Sequence, residues 1–442
     1  MVQILMMLAL LGAMLPAWVT GSMATSMPGG GEPSAVTADQ PDTQVIQWNR
    51  ALLEILRTPG AQPPTVHPTR SLAVMHAAIY DAVNAIDRTH RPYVVHVSRV
   101  SRQASQAAAA AAAAHRVLVE LYPAQQERLD AQLQDSLAQI PEGLPKSLGI
   151  RTGLIVAERL LALRGHDGSH APLLPFEPGT DPGDYQLTPP NFAPPVFTHW
   201  PDVTPFTLIH ADQFRPVPPP ALTSDSYSDS FNEIKALGII DSATRSADQT
   251  ELARFWGGAI QNYWNEIAQT AAVAHSLTTA QSARLFALLN LTIADGVIGF
   301  YDAKYTYQFW RPVTAIRAAD TDDNPETMAD PTWTPLTGTT PPDPSYPGAH
   351  AVVSAAGAAV LTFFFDRDDS SFAVSSEVLP EVERSFTSFT AAADEATFSR
   401  IVAGVHFRFD LTAGQALGRD IAEYVVTHVL VPRHLARDAD NR

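Results

Sequence analysis

Along most of this chain apolar residues recur three and four positions apart, the spacing of a helix with one buried face. That spacing predicts helices over residues 45–56, 71–86, 103–121, 148–163, 249–274, 279–301 and 412–431. Residues 349–365 are more evenly apolar, broken by His350 and Ser354, and read as a helix buried in the core. Alternating strand patterns are scarce. Between residues 167 and 223 the chain is crowded with proline, which helix interiors reject, so this stretch is a long irregular connection. Residues 320–347, rich in Pro, Asp and Thr, form a second one. The fold class that follows is all-α: two helical-bundle halves joined by Pro-rich loops.

The halves echo each other. Trp48-Asn49 recurs as Trp264-Asn265, Ile79, Asp81 and Val83 as Ile293, Asp295 and Val297, and Arg91-Pro92 as Arg311-Pro312, in one order and at nearly constant offset. A degenerate internal duplication accounts for this. The expected layout is a signal peptide over 1–24, a flexible leader over 25–41 and a scaffolding bundle over 42–166. The Pro-rich connection over 167–223 follows, then a second bundle over 224–432 and a tail over 433–442.

Composition narrows the chemistry. With 45% hydrophobic and 17% charged residues, the 442-residue chain can build a large core. A net charge of −17 excludes a protein that coats nucleic acid, though not a small anion site made by a few converging cations. The absence of cysteine removes disulfides, thiolate nucleophiles and cysteine-ligated metals. Residues 1–31 carry no charge, and an apolar run over 4–19 ends at Ser22 and Ala24, small residues suited to signal-peptidase cleavage. The leader lacks a basic start, but its short, Pro16-interrupted run suits export to the periplasm or medium better than a membrane span. The body of the chain is expected to be soluble, with no stable membrane insertion.

Three segments of the second half concentrate unusual residues. Lys304 and Arg311 lie seven apart among aromatics, which on a continuous helix puts two cations on one face. Pro347-Gly348-Ala349-His350 opens the apolar helix, so the backbone N–H groups of Gly348, Ala349 and His350 form an anion cradle at a helix N-terminus. His350 can exchange a proton there. In the third segment Arg400 precedes His406 by six residues, and Asp410 follows one turn later. That carboxylate either fixes the tautomer of His406 or pairs with Arg400 or Arg408. Alone, each segment is also an ordinary solvated or core helix. Together they supply three cations, a helix N-terminus and two imidazoles, the donor set for a tetrahedral or trigonal-bipyramidal oxyanion.

At these residues the chain resembles the vanadium-dependent haloperoxidases, within the type 2 phosphatidic acid phosphatase superfamily, and most of all their soluble chloroperoxidase-like branch. The family pattern Lys-x6-Arg-Pro, Pro-Ser-Gly-His, Ser-Arg-x5-His-x3-Asp is met by Lys304 to Pro312, by Pro347 to His350 with two changes, and by Ser399 to Asp410. The resemblance implies that Lys304, Arg311 and Arg400 bind equatorial oxygens of vanadate and that His406 is the axial vanadium ligand. It implies that His350 acts as acid and base while hydrogen peroxide is used to oxidise a halide. Gly348 replaces the motif serine, removing a hydroxyl donor that Ser345 or water would have to replace, and Ala349 replaces the motif glycine. The two aromatic positions of the family's halide pocket fall on Tyr301 and Asp343. A carboxylate there repels chloride, so bromide or iodide is expected. Two other uses of the pocket stay open: phosphoester hydrolysis, with phosphate in the site and His406 as nucleophile, and oxyanion binding without catalysis. All three require Lys304, Arg311, His350, Arg400 and His406 to surround one pocket between Tyr301 and Asp410.

Overall fold

Local signals set the helix boundaries. In the computed structural model, which describes residues 43–433, α1 (Gln44–Arg57) starts where the Thr43 hydroxyl accepts from the Ile46 N–H. Pro68 occupies the first turn of α2 (Pro68–Asp87), where its missing N–H costs nothing. Ser105 caps α3 (Gln106–Leu121), and α4 (Gln126–Ala138) and α5 (Leu144–Arg164) complete the first half. The second half holds α6 (Asp225–Leu237), α7 (Ala247–Phe255), α8 (Ile260–Ala274), α9 (Thr279–Tyr307), α10 (Pro312–Arg317), α11 (Ala349–Phe365), α12 (Phe389–Val402) and α13 (Arg408–His428). One antiparallel hairpin, β1 (Phe372–Ser375) with β2 (Glu383–Phe386), sets Phe372 opposite Phe386. The all-α expectation holds. The signal peptide and leader, and all of the tail but Arg433, lie outside the described residues.

Two local expectations need correction. The helix expected over 249–274 is interrupted at Gly257-Gly258, leaving α7 and α8 as separate pieces. Gly258 has no room for a side chain, since a Cβ there would lie 2.7 Å from Glu377 Oε1 and 2.8 Å from the Tyr263 hydroxyl. The helical geometry that put Lys304 and Arg311 on one face also fails: α9 stops at Gln308, whose φ of 46° and ψ of 42° are left-handed, and Arg311 precedes the separate α10.

The apolar core is shared between the halves, running from Val45 of α1 through Ile79 and Phe286 to Val425 of α13. Helix α9 is long and apolar enough to cross a membrane, but 94% of its apolar window is buried within the protein. The Pro-rich segment contains a 3-10 turn, Trp200–Asp202, and lies against the loops that follow α9. Tyr185 N–H donates to Gln308 O at 2.6 Å, Trp310 N–H to Gly183 O at 2.8 Å and Val196 N–H to Pro342 O at 3.1 Å.

The sequence echo corresponds to repeated packing. Asn49 of α1 accepts from His76 of α2 at 2.8 Å, and Asn265 of α8 exchanges 2.9 Å hydrogen bonds with Asn290 of α9. Asp81 of α2 accepts from the N–H groups of Tyr93, Val94 and Val95. Asp295 of α9 accepts from those of Phe206, Thr207 and Leu208. Each carboxylate thus pins a passing loop to a buried helix, replacing backbone partners that the loop lacks. Burial pushes both carboxyls up, Asp81 to about 6, and the backbone donors resist that shift. Glycines repeat too. A Cβ at Gly149 or Gly153 of α5 would meet Ser105 O or Ala109 O at 2.3 and 2.4 Å, so α5 lies almost in backbone contact with α3. At Gly414 and Gly418 of α13 the obstacles are Gly348 O and Val352 O at 2.6 and 2.2 Å, which brings α13 equally close to α11.

The Asn49–His76 pair yields a pH prediction. His76 is fully buried, stacks on Phe286 with ring centroids 5.1 Å apart, and is lowered by burial to about 3. Below pH ~6.5 the unfolded chain takes up a proton that folded His76 refuses, so stability is lost as pH falls, by about 1.4 kcal/mol per unit until about pH 3. Replacing His76 with Asn recreates the Asn265–Asn290 type of pair. Chemical denaturation between pH 6.5 and 5 should show a stability–pH slope smaller by about one proton in His76→Asn; an unchanged slope would refute the assignment.

Candidate functional site

Lys304, Arg311, His350, Arg400 and His406 line one cavity of about 340 Å³. Lys304 comes from the last turn of α9, Arg311 from the residue before α10, and His350 from the first turn of α11. Arg400 ends α12, and His406 lies in the turn between α12 and α13. That turn needs Gly404: its φ is 81°, and a Cβ would sit 2.5 Å from Gly238 O. Ala349 and Asp343 also line the cavity.

The site is wider than the sequence suggested. The expectation that it lies wholly between Tyr301 and Asp410 is corrected by His67 and Pro68 at the start of α2, Val196 of the Pro-rich connection and Gly258 to Gln261 at the α7–α8 break. His67 sits edge-on to Phe197 and Tyr301, at centroid distances of 5.1 and 6.1 Å. Pro68 marked a helix start in the sequence, but nothing local revealed that His67 faces a cavity formed by residues hundreds of positions away. The glycine pair at 257–258 was the available signal for the other missed wall.

His406 is held in one tautomer. Its Nδ1 lies 3.1 Å from Asp410 Oδ2, which also accepts from the Phe407 N–H at 3.0 Å and the Ser345 hydroxyl at 2.5 Å. A carboxylate accepts, so Nδ1 carries the proton and Nε2 keeps a lone pair, faced by Arg311 Nη1 at 3.2 Å. Of the open alternatives for Asp410, the structure selects pairing with His406; Arg408 bonds Glu233 instead. Burial, then the charges of Arg311 and Lys304, push the His406 imidazole well below its usual range and keep it neutral. Burial raises the Asp410 carboxyl to about 6.

His350 donates its Nε2–H to Trp256 O at 3.0 Å, leaving Nδ1 as the ring's free position. It is half-buried and lines the cavity, and desolvation, reinforced by Arg400, drives its pKa well down. The Gly348 N–H is not free, because it donates to Asp410 O at 2.9 Å. Ala349 and His350 are the first two residues of α11, where no carbonyl one turn back can take their N–H groups. Gly348 is buried outside the cavity lining, and a Cβ there would lie 2.6 Å from Leu411 Cδ2. Ser345 does not replace the missing serine, since its hydroxyl is spent on Asp410.

The cations differ in what surrounds them. Lys304 is fully buried, with Nζ 3.3 Å from Asp343 Oδ2 and bonded to Pro344 O and Ser345 O. Burial brings it down to about 8 against the pull of Asp343. Arg311 donates from Nη2 to Asp343 Oδ1 and from Nε to Asp343 O at 2.7 Å. Burial tends to raise the Asp343 carboxyl, but Lys304 and Arg311 overcome it and hold it below the usual range. Arg400 meets neutral acceptors, Ser399 Oγ at 2.9 Å and Ala253 O at 3.0 Å, and burial lowers it to about 10. Among the described residues no cluster of three or more His, Asp or Glu converges as a divalent cation would require. The donors favour an anion.

Fold and site together define a helical protein with a buried cationic cradle beside a carboxylate-oriented histidine. A family model described as the VCPO second helical-bundle domain matches residues 284–433. The vanadium chloroperoxidase of Curvularia inaequalis is 26% identical over 45% of this chain and 43% of its own length, so the match spans less than half of that relative. The crystal structure of the first bacterial vanadium-dependent iodoperoxidase superimposes with a TM-score of 0.73 at 28% identity, covering 91% of this chain and 99% of that one. A holo-type bacterial vanadium-dependent chloroperoxidase shares the fold, with a TM-score of 0.65 at 18% identity over 89% of this chain and 99% of its own. Over its second half the chain thus matches that family model, and over most of its length its fold is similar to that of the bacterial iodoperoxidase.

The buried Ser345–Asp410 bond is testable. Ser345→Ala removes a charge-assisted hydrogen bond outside the cavity and should cost about 1.5–3 kcal/mol in urea unfolding. A loss below ~0.5 kcal/mol would mean that the hydroxyl does not support Asp410.

Proposed function

We propose that this protein is a peroxidase that binds vanadate in the cavity and uses hydrogen peroxide to oxidise iodide or bromide. The observation that carries this reading is the convergence of Lys304, Arg311, His350, Arg400 and His406 on one cavity. The donor set fits vanadate: three cations, two helix-start N–H groups and one unprotonated imidazole nitrogen, His406 Nε2, which Arg311 Nη1 faces at 3.2 Å. Bound vanadate would supply a Lewis acid that activates peroxide.

The remaining steps fall to the protein. Arg400 has unspent N–H donors and anchors the oxyanion, with Lys304, Arg311 and the Ala349 N–H as further donors. His406 would offer Nε2 to the bound group while Asp410 holds its Nδ1–H. His350, neutral and with Nδ1 free, would be the group placed to hold and hand on a proton beside the bound oxyanion. Phe300, Tyr301, Val297 and Val353 exclude bulk water. The Asp343 carboxylate raises the cost of admitting a small anion. Iodide and bromide are also more easily oxidised than chloride, and the similar bacterial structure is of an iodoperoxidase.

With vanadate and peroxide, the full chain should turn over iodide fastest, bromide more slowly and chloride negligibly, read by triiodide formation and dye bromination. His406→Ala should abolish turnover. Equal activity without vanadate, or full activity in His406→Ala, would reject the reading.

A further inference from the structure

Two of the three cradle cations are already engaged by the chain's own carboxylate. Lys304 has three N–H protons, and Pro344 O, Ser345 O and Asp343 Oδ2 face all of them. Arg311 has five: Nε serves Asp343 O, Nη1 serves Val405 O and His406 Nε2, and Nη2 serves Asp343 Oδ1, leaving one. Asp343 is 6% exposed and belongs to the cavity wall, so its carboxylate stands where an anion held by Lys304 and Arg311 would have to stand. Among the described residues Arg400 bonds no carboxylate. An entering oxyanion therefore meets one unpaired cation and two engaged ones.

We propose that Asp343 is a resident counter-anion of the cradle, displaced by the incoming oxyanion when its side chain rotates off Lys304 Nζ and Arg311 Nη2. This rests on the oxyanion reading above. The backbone can stay in place, because Arg311 Nε keeps its bond to Asp343 O. The exchange replaces one anion beside the buried cations with another, so neither state leaves them uncompensated. The released carboxylate stays in the cavity with His67, whose Nδ1 is engaged by Thr69 and whose Nε2 is available. Arg400 supplies the first foothold, and the oxyanion's several oxygens take over the released donors. A halide carries one charge and cannot bridge the same donors, so it does not compete for the cradle. Oxyanion affinity is the quantity sacrificed, since part of the binding free energy goes into breaking the internal ion pairs.

The test is equilibrium binding of orthovanadate, and separately of inorganic phosphate, to the full chain by titration calorimetry. Wild type, Asp343→Asn, Asp343→Ala and Arg400→Ala are compared, each checked for folding by circular dichroism. Both Asp343 variants should bind each probe about tenfold tighter than wild type or better, and Arg400→Ala should bind more weakly. Wild-type binding with equal or weaker affinity in both Asp343 variants would overturn the exchange and make Asp343 part of the cradle. Binding by the Asp343 variants with none by wild type would support it in its strongest form. No binding by any of the four proteins would overturn the oxyanion reading itself, and the exchange with it.

Discussion

Burying three cations in a helical core is the constraint to which the rest of this structure answers. Lys304, Arg311 and Arg400 are almost without access to solvent, and such charges are tolerable only when each has oriented partners. The partners come from four different stretches: Ala253, Asp343 with Pro344 and Ser345, Ser399, and the Val405–His406 turn. Irregular backbone near the site is therefore needed. Loop carbonyls that no helix uses are what the buried ammonium and guanidinium groups require, and the Pro-rich connection packs outside those loops and holds them.

The repeated devices explain how loops can be held so firmly. Asp81 and Asp295 occupy corresponding positions on α2 and α9, and each fastens three consecutive N–H groups of a passing segment. The glycine pairs of α5 and α13 let those helices approach α3 and α11 to backbone contact. In the first half this geometry serves packing, since Ser105 there is a helix cap. In the second half the same closeness sets Asp410 and the Gly348 amide 2.9 Å apart, tying the His406 support to the start of the helix that carries His350. The same close helix contact thus recurs in both halves, and in the second it lies beside His350 and His406.

Much of this was legible from residue order alone. Helical period located α1, α2, α9, α11 and α13 to within a few residues, apart from the six-residue extension of α9. The spaced motifs named the five side chains that converge on the cavity. What escaped notice depended on contacts that periodicity does not encode. The break falls at Gly257-Gly258, a pair visible in the sequence, but that Glu377 and Tyr263 close on Gly258 there is a distant neighbourhood that no local pattern contains. The left-handed turn at Gln308 uses a residue with no special preference for it. Asp343 read as a repellent for halide because its sequence position gave no sign that Lys304 and Arg311 would both close on it. His67 was invisible because its meaning lies wholly in what it faces.

The spread of the cavity walls along the chain, from His67 to His406, also dictates an order of assembly during synthesis. A ribosome that has released residues up to the end of α11 has made the Lys304–Arg311–Asp343 cluster but neither Arg400 nor His406. The nascent chain then carries an open, apolar α11 whose glycine-faced partner, α13, does not yet exist. Such a surface invites unwanted association until α13 docks. The last helix to be made is thus also the one whose Asp410 supports His406.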